Sequence, residues 1–300
     1  MRAGVIGIGK LGSIHLRIYK EIRKIKEIYL VDTDKSKLSC HPGMPNFCDY
    51  RRLKGKVDFV TIATPTSSHF EIAEFFLKNR IPVLVEKPIT QNLKQAKKLL
   101  TIAKEKKILL FVGHVERYNN AYLAVKKITK NPLFIECHRL SLYPNRSLDV
   151  SVVLDLMIHD LDIILYLLKD KIKRVEAKGV KVLSPSQDIA NARITFQKGC
   201  VANITSSRIS AKKERKIRIF MPNCYVSLDY ANQQVEIYKK LKNKIKKEFL
   251  PINKEEPLKK ELQEFINLVK NKKAPLESGI KAKDALALAL RIQKILERNS

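Results

Sequence analysis

The sequence predicts an α/β chain: a doubly wound parallel sheet, then an α+β domain with an open antiparallel sheet. Three observations lead there. The first third alternates short apolar runs with helical spacings, which means buried parallel strands separated by crossover helices. The middle carries consecutive strand-like segments on short turns, which means antiparallel pairing. The 300 residues are 45% hydrophobic, enough for two ordinary domains and too much for global disorder.

The elements follow in order. Arg2 to Ile8 is an apolar run ending in glycines, and Lys10 to Lys24 has Leu11, Ile14, Ile18 and Ile22 at helical spacing. Ile28 to Val31 is a second strand, stopped by Asp32. Asp58 to Ala63 is a third, followed by Pro65 and a helix from Ser68 to Asn79. Pro82 to Val85 is a strand closed by Glu86-Lys87-Pro88, and a helix from Asn92 to Lys107 leads into Ile108 to Val112. Beyond lie a strand at 132–142, an apolar helix at 150–168, and strands at 172–183, 189–197, 200–210, 215–221 and 224–229, with a pair near 234–250. Helices at 258–270 and 280–298 close the chain. The expected domains are 1–115 and 116–300, with helices 258–298 packing back on the first. An open antiparallel sheet covered on one face leaves the other for a homodimer or homotetramer.

The formal net charge is +29, from 59 Lys plus Arg against 30 Asp plus Glu. Three readings compete: nucleic-acid binding, attraction for a smaller anion, and a solvated lysine surface. Lysine supplies most of the excess and is scattered, with its densest run at Lys239 to Lys247. Specific phosphate or base recognition favours arginine's planar fork, so no specific nucleic-acid partner is expected. Five cysteines without a C-x-x-C pair fit reduced thiols, and no metal site is expected. No run reaches the roughly 18–20 apolar residues of a membrane span, and the N-terminus lacks a signal cleavage region. The expected compartment is the cytoplasm.

Three signals carry chemistry. Gly7-Ile8-Gly9-Lys10-Leu11-Gly12 follows a strand and opens a helix, the context of the Rossmann dinucleotide fingerprint. Gly7 makes the turn, Gly9 admits a pyrophosphate to the helix N-terminus with Lys10 and Leu11 beside it, and Gly12 permits close packing. Asp32, twenty residues beyond Gly12, is placed for the ribose hydroxyls. Its charge repels a 2′-phosphate, which favours NAD over NADP, while nearby Lys35 keeps NADP as an alternative.

The second signal is Glu86-Lys87-Pro88 at the carboxyl end of a parallel strand, where ligands of such sheets bind. Lys87 there is either a residue bonding a substrate oxygen or an ordinary surface lysine. The third is the apolar helix holding Asp155, His159 and Asp162. At helical spacing they share one face within about 60°. Asp155 orienting His159 as general base is one reading; a satisfied structural histidine is the other.

Together, GIGKLG, Asp32, the EKP at 86–88 and Asp155-x-x-x-His159 resemble the Gfo/Idh/MocA oxidoreductases along the whole chain. Stretches 113–119, 138–146, 149–165, 188–196 and 216–220 resemble that family's UDP-N-acetylglucosamine 3-dehydrogenases. The resemblance implies a sugar-nucleotide substrate oxidised to a 3-keto sugar. A PLP-dependent aminotransferase would follow, in lipid A biosynthesis. It implies that Lys87 contacts the reacting hydroxyl, that His159 takes its proton and that Asp155 supports or shares that role. Thr64 and Pro65, with His69, match the cofactor-edge loop, and Glu86 belongs to the cofactor side. Arg117 and Arg139 are implied substrate contacts. Met157 replaces a glycine common in the family, which fills space near the site. The alternatives are a dehydrogenase of a free sugar or polyol and a non-catalytic dinucleotide sensor.

Overall fold

The computed structural model describes residues 1–143, 150–242 and 244–298. The segment 144–149, part of two stretches that carry the resemblance, lies outside the described residues. The chain forms two compact units, Met1–His114 with Leu258–Lys283 and Val115–Pro257 with Asp284–Ser300.

The first unit contains β1 (Arg2–Ile6), α1 (Lys10–Glu21), β2 (Glu27–Val31), α2 (Lys35–Ser39), β3 (Asn46–Phe47), β4 (Phe59–Ile62), α3 (Thr66–Lys78), β5 (Val83–Glu86), α4 (Leu93–Lys106) and β6 (Leu110–Gly113). The sheet order is β3-β2-β1-β4-β5-β6, and every pair is parallel. β4, β5 and β6 are buried at every residue, which is why they read as continuous apolar runs. The strand order reverses between β1 and β4, so the loops after these strands border the switch point where such sheets bind ligands.

The second unit begins with a 3-10 turn at Val115–Tyr118 and α5 (Asn120–Ile128). β7 (Phe134–Leu140), a π turn at Val153–Met157 and α6 (Ile158–Leu168) follow. Then come β8 (Ile172–Val180), β9 (Ile189–Phe196), β10 (Val201–Ser207), β11 (Glu214–Met221), β12 (Cys224–Asp229), β13 (Gln234–Leu241) and β14 (Lys244–Leu250). Their order is β14-β13-β12-β11-β7-β10-β9-β8. All neighbours are antiparallel except β7 and β10. The sequence suggested antiparallel pairing throughout. α6 and the β8–β9 hairpin intervene between β7 and β10, so β10 returns in the direction of β7. Ile135, Cys137, Ile194, Ile204, Ile219 and Val226 form a core with Leu161 and Ile164 of α6.

Two helices close the chain, α7 (Pro257–Lys270) and α8 (Glu277–Arg298). α7 belongs to the first unit, where Phe265 meets Phe59 at 5.3 Å and Phe111 at 5.6 Å between ring centroids. Burying such a ring contributes roughly 1.5–3 kcal/mol. The start of α8 is tied to the same unit: Ser278 Oγ accepts the Val112 N–H at 3.0 Å. Later turns of α8 put Leu288, Ile292 and Leu296 into the core of the second unit.

Candidate active site

The glycine loop has the geometry a dinucleotide requires. Gly7 has φ +88°, and a Cβ there would lie 2.8 Å from the Ala63 backbone. A Cβ on Gly12 would lie 1.8 Å from the Gly7 carbonyl oxygen. Gly9 faces open space, with nothing within 4 Å of its Cβ position. It caps α1 without a side-chain hydrogen bond, and no acid occupies the first turn. The first N–H groups of a helix have no intrahelical partner, and with the positive end of the helix dipole they face open space at Gly9, which fits a pyrophosphate. Lys10 and Leu11 are exposed on that turn.

Asp32 is buried at the end of β2 and accepts the Ile8 N–H at 2.7 Å and the Asp34 N–H at 2.9 Å. It thus orders the glycine loop itself. A carboxylate offers about four lone-pair sites, so acceptor capacity remains for ribose hydroxyls. The cation beside it is Lys37, at 3.5 Å, rather than the Lys35 that sequence proximity suggested. One helical turn places Lys37 back over the carboxylate.

Lys87 is half-buried at the end of β5, and its bond to Pro88 is cis. Glu86 accepts from His15 Nε2 at 2.9 Å, with the His15 side chain fully buried. Its other oxygen accepts the Lys87 N–H at 3.3 Å. His69 is buried between two backbone carbonyls: Nδ1 lies 2.9 Å from the Pro88 oxygen and Nε2 lies 2.9 Å from the Thr64 oxygen. Burial pushes the His69 imidazole below its ordinary pKa, against the pull of these carbonyls. Thr64 Oγ1 accepts from Ser68 Oγ at 2.8 Å, and Pro65 caps α3 on the surface. Glu86 and His69, expected on the cofactor side, are both buried and bonded to neighbouring protein groups.

In the second unit, Asp155 and His159 are half-buried, while Asp162 is buried. The π turn at Val153–Met157 corrects the regular spacing expected across them. An i→i+5 turn contains an extra residue, so 100° per residue does not carry from Asp155 to His159. Asp162 pairs instead with Arg117, which donates from Nε at 2.8 Å and from Nη2. Arg139 donates to both Asp160 oxygens at 2.9 Å and to Glu116 at 3.2 Å. Burial opposes the Arg139 charge, but Asp160 and Glu116 outweigh it and raise its pKa.

The implied substrate arginines are therefore engaged by buried carboxylates on α6 and its neighbours. They hold the helix that carries His159. Met157 is fully buried in the core. It packs in the core cluster two residues before His159.

Sequence reasoning missed a second anchor. Asp188 accepts N–H groups of Val182, Leu183 and Ser184 and bonds Arg208 Nε at 2.9 Å. Burial works against its charge, but these bonds hold its pKa well below the usual carboxylate range. Arg208 also donates to the Val150 carbonyl at 2.9 Å, just before the π turn. The available signals were single: an Arg in a strand end, a His on the apolar face of α1, an Asp beside His159. Among the described residues, no three His, Cys, Asp or Glu gather as metal ligands, and no helix is long and apolar enough to cross a membrane.

A family model described as "Oxidoreductase family, NAD-binding Rossmann fold" matches residues 1–114. One described as "GFO/IDH/MocA C-terminal domain" matches residues 136–226. The UDP-N-acetylglucosamine 3-dehydrogenase of Acidithiobacillus ferrooxidans is 31% identical over 305 residues, covering 99% of this chain and 97% of that protein. A myo-inositol 2-dehydrogenase of Thermotoga maritima is 25% identical over 99% of this chain and 96% of its own length. A solved structure of the A. ferrooxidans enzyme superposes with a TM-score of 0.91 at 32% identity, covering 99% of this chain and 98% of that one. The scyllo-inositol dehydrogenase of Lactobacillus casei, solved with NAD(H) and scyllo-inositol, shares the fold with a TM-score of 0.84 at 18% identity, over 100% of this chain and 98% of its own.

Proposed function

The chain belongs to the Gfo/Idh/MocA oxidoreductase family, and within it we propose that it oxidises a sugar-nucleotide hydroxyl with NAD, at C3 of UDP-N-acetylglucosamine. The observation that carries this reading is the end-to-end similarity, at 31% identity, to a dehydrogenase of that substrate. The inositol dehydrogenase similar over the same span is 25% identical, which keeps a free polyol as the second reading.

Oxidising an alcohol removes a proton from oxygen and a hydride from carbon. Bound NAD supplies the hydride acceptor. Gly7, Gly9 and Gly12 shape the pyrophosphate cradle, with Lys10 and Leu11 on its first turn. Asp32 accepts from the ribose hydroxyls and repels a 2′-phosphate. Thr64 and Pro65 line the cofactor edge.

Lys87 holds the reacting hydroxyl through its ammonium. His159 takes the proton, a task that suits an imidazole near neutral pH, and Asp155 supports it. Arg117 and Arg139 fix the helix that presents His159. The 3-keto product is an aminotransferase substrate, consistent with a PLP-dependent enzyme following in lipid A biosynthesis. We place the enzyme in the cytoplasm as a homodimer or homotetramer built on the exposed face of the second sheet.

The test is NADH formation with UDP-N-acetylglucosamine, with an aminotransferase present to remove the keto product. Turnover supports the reading. Failure across UDP-hexosamines, with turnover on free inositols, replaces it by the second.

A further inference from the structure

Lys87 stands between two residues, each held by a buried histidine. On one side, His15 Nε2 donates to Glu86 at 2.9 Å. On the other, His69 Nδ1 faces the Pro88 carbonyl at 2.9 Å. The two rings are 0% and 1% exposed. A buried polar atom costs about 1–3 kcal/mol when its partner is removed, so the single bond of His15, through Nε2, and the carbonyls at both His69 nitrogens fix where each ring sits.

Each histidine also belongs to a helix that starts at the dinucleotide cradle. His15 lies on α1, one turn beyond Gly12. His69 lies on α3, directly after the Thr64–Pro65 loop, and its second nitrogen faces the Thr64 carbonyl at 2.9 Å. The Glu86 carboxylate has little freedom. Its second oxygen accepts the Lys87 N–H, and a Cβ on the neighbouring Gly113 would lie 2.9–3.0 Å from the carboxylate atoms. Glycine at 113 is what makes room for it.

We propose that His15 and His69 are positioning residues that transmit the seating of the dinucleotide to Lys87. His15 acts through Glu86, and His69 through the Thr64 and Pro88 carbonyls. The inference rests on the reading of Lys87 as the residue holding the reacting hydroxyl. Order imposed on the first turn of α1 and on the 63–65 loop passes through two rigid rings to the residues flanking Lys87. A displacement of about 1 Å at such a group costs about a hundredfold in rate.

Hydrogen exchange of segment 84–92 with saturating NADH tests the coupling without turnover. The wild type gains protection there when NADH binds. His15→Leu and His69→Leu bind NADH yet gain none, and His15→Gln, whose amide N–H replaces Nε2, restores the gain. Should a leucine variant fail to fold, His15→Asn, too short to reach Glu86, serves in its place.

Kinetics with UDP-N-acetylglucosamine give the second arm. His15→Leu lowers kcat about 10- to 100-fold while the KM for NAD holds. In a Lys87→Ala background it costs nothing further, because both changes remove one function. Undiminished NADH-induced protection in both leucine variants overturns the proposal, as do rate losses that multiply with that of Lys87→Ala. A near-normal rate in Lys87→Ala overturns the reading of Lys87 instead, and the exchange arm then still decides whether the histidines couple the two loops.

Discussion

Arg139 and Asp160 meet through two parallel hydrogen bonds, both 2.9 Å, and both side chains are buried. Arg139 also reaches Glu116 at 3.2 Å, so one cation balances two carboxylates. Arg139→Met leaves both acids buried without their cation. Breaking a buried pair this way costs about 3–5 kcal/mol, read as a lowered denaturant midpoint. Arg139→Lys keeps the charge but loses the fork and recovers part of the loss. A stability equal to wild type in Arg139→Met would remove the structural role assigned to this arginine.

Two glycine positions of the cradle respond differently. Gly12→Ala drives a methyl into the Gly7 carbonyl, so NADH binding is lost together with local packing. Gly9→Ala meets no protein atom within 4 Å, so the melting temperature holds while NADH affinity falls. Fluorescence titration beside thermal melts checks this. Unchanged affinity in Gly9→Ala would place the pyrophosphate elsewhere.

Asp32 carries two tasks, and they separate by substitution. Asp32→Asn keeps one acceptor oxygen for the glycine loop but removes the charge facing a 2′-phosphate. The expected result is a shift of kcat/KM towards NADP by about tenfold or more, equivalent to about 1.4 kcal/mol. An unaltered NAD to NADP ratio would deny Asp32 the role of selecting the cofactor.

His69 sets a pH dependence of stability. Its folded pKa is depressed, chiefly by burial, below an unfolded value of about 6.5. The unfolded state therefore binds the proton first. The contribution is fully present above the unfolded pKa and is lost as pH falls through it towards the folded value. Denaturation midpoints measured downwards from neutral pH should show that loss, and His69→Gln should flatten it. An identical pH slope in the variant would assign the loss to other groups.

Much of this architecture is legible in the chain, for physical reasons. β4, β5 and β6 are buried throughout and read as unbroken apolar runs. The second sheet alternates, as in Phe134–Leu140. α5 escaped notice because nine residues are too few for a helical period to stand out from a short apolar run. The parallel β7–β10 pair escaped because local turns carry no information on a crossover. At the site, the glycines and Asp32 announce themselves by spacing. The partners of Arg117 and Arg139 lie 45 and 21 residues away along the chain, and no local pattern links them. The π turn was hidden because an apolar helix with one extra residue keeps an apolar sequence.

In the proposed reaction a proton and a hydride leave one sugar-nucleotide carbinol, with Lys87 and His159 in attendance. The most direct measurement is the initial rate of NADH formation from UDP-N-acetylglucosamine, with the keto product trapped, for wild type, Lys87→Ala and His159→Ala side by side. The wild type is expected to turn over, and each variant to lose about a hundredfold or more in rate with NADH binding intact. No wild-type turnover on this substrate, or near-normal rates in either variant, would contradict it.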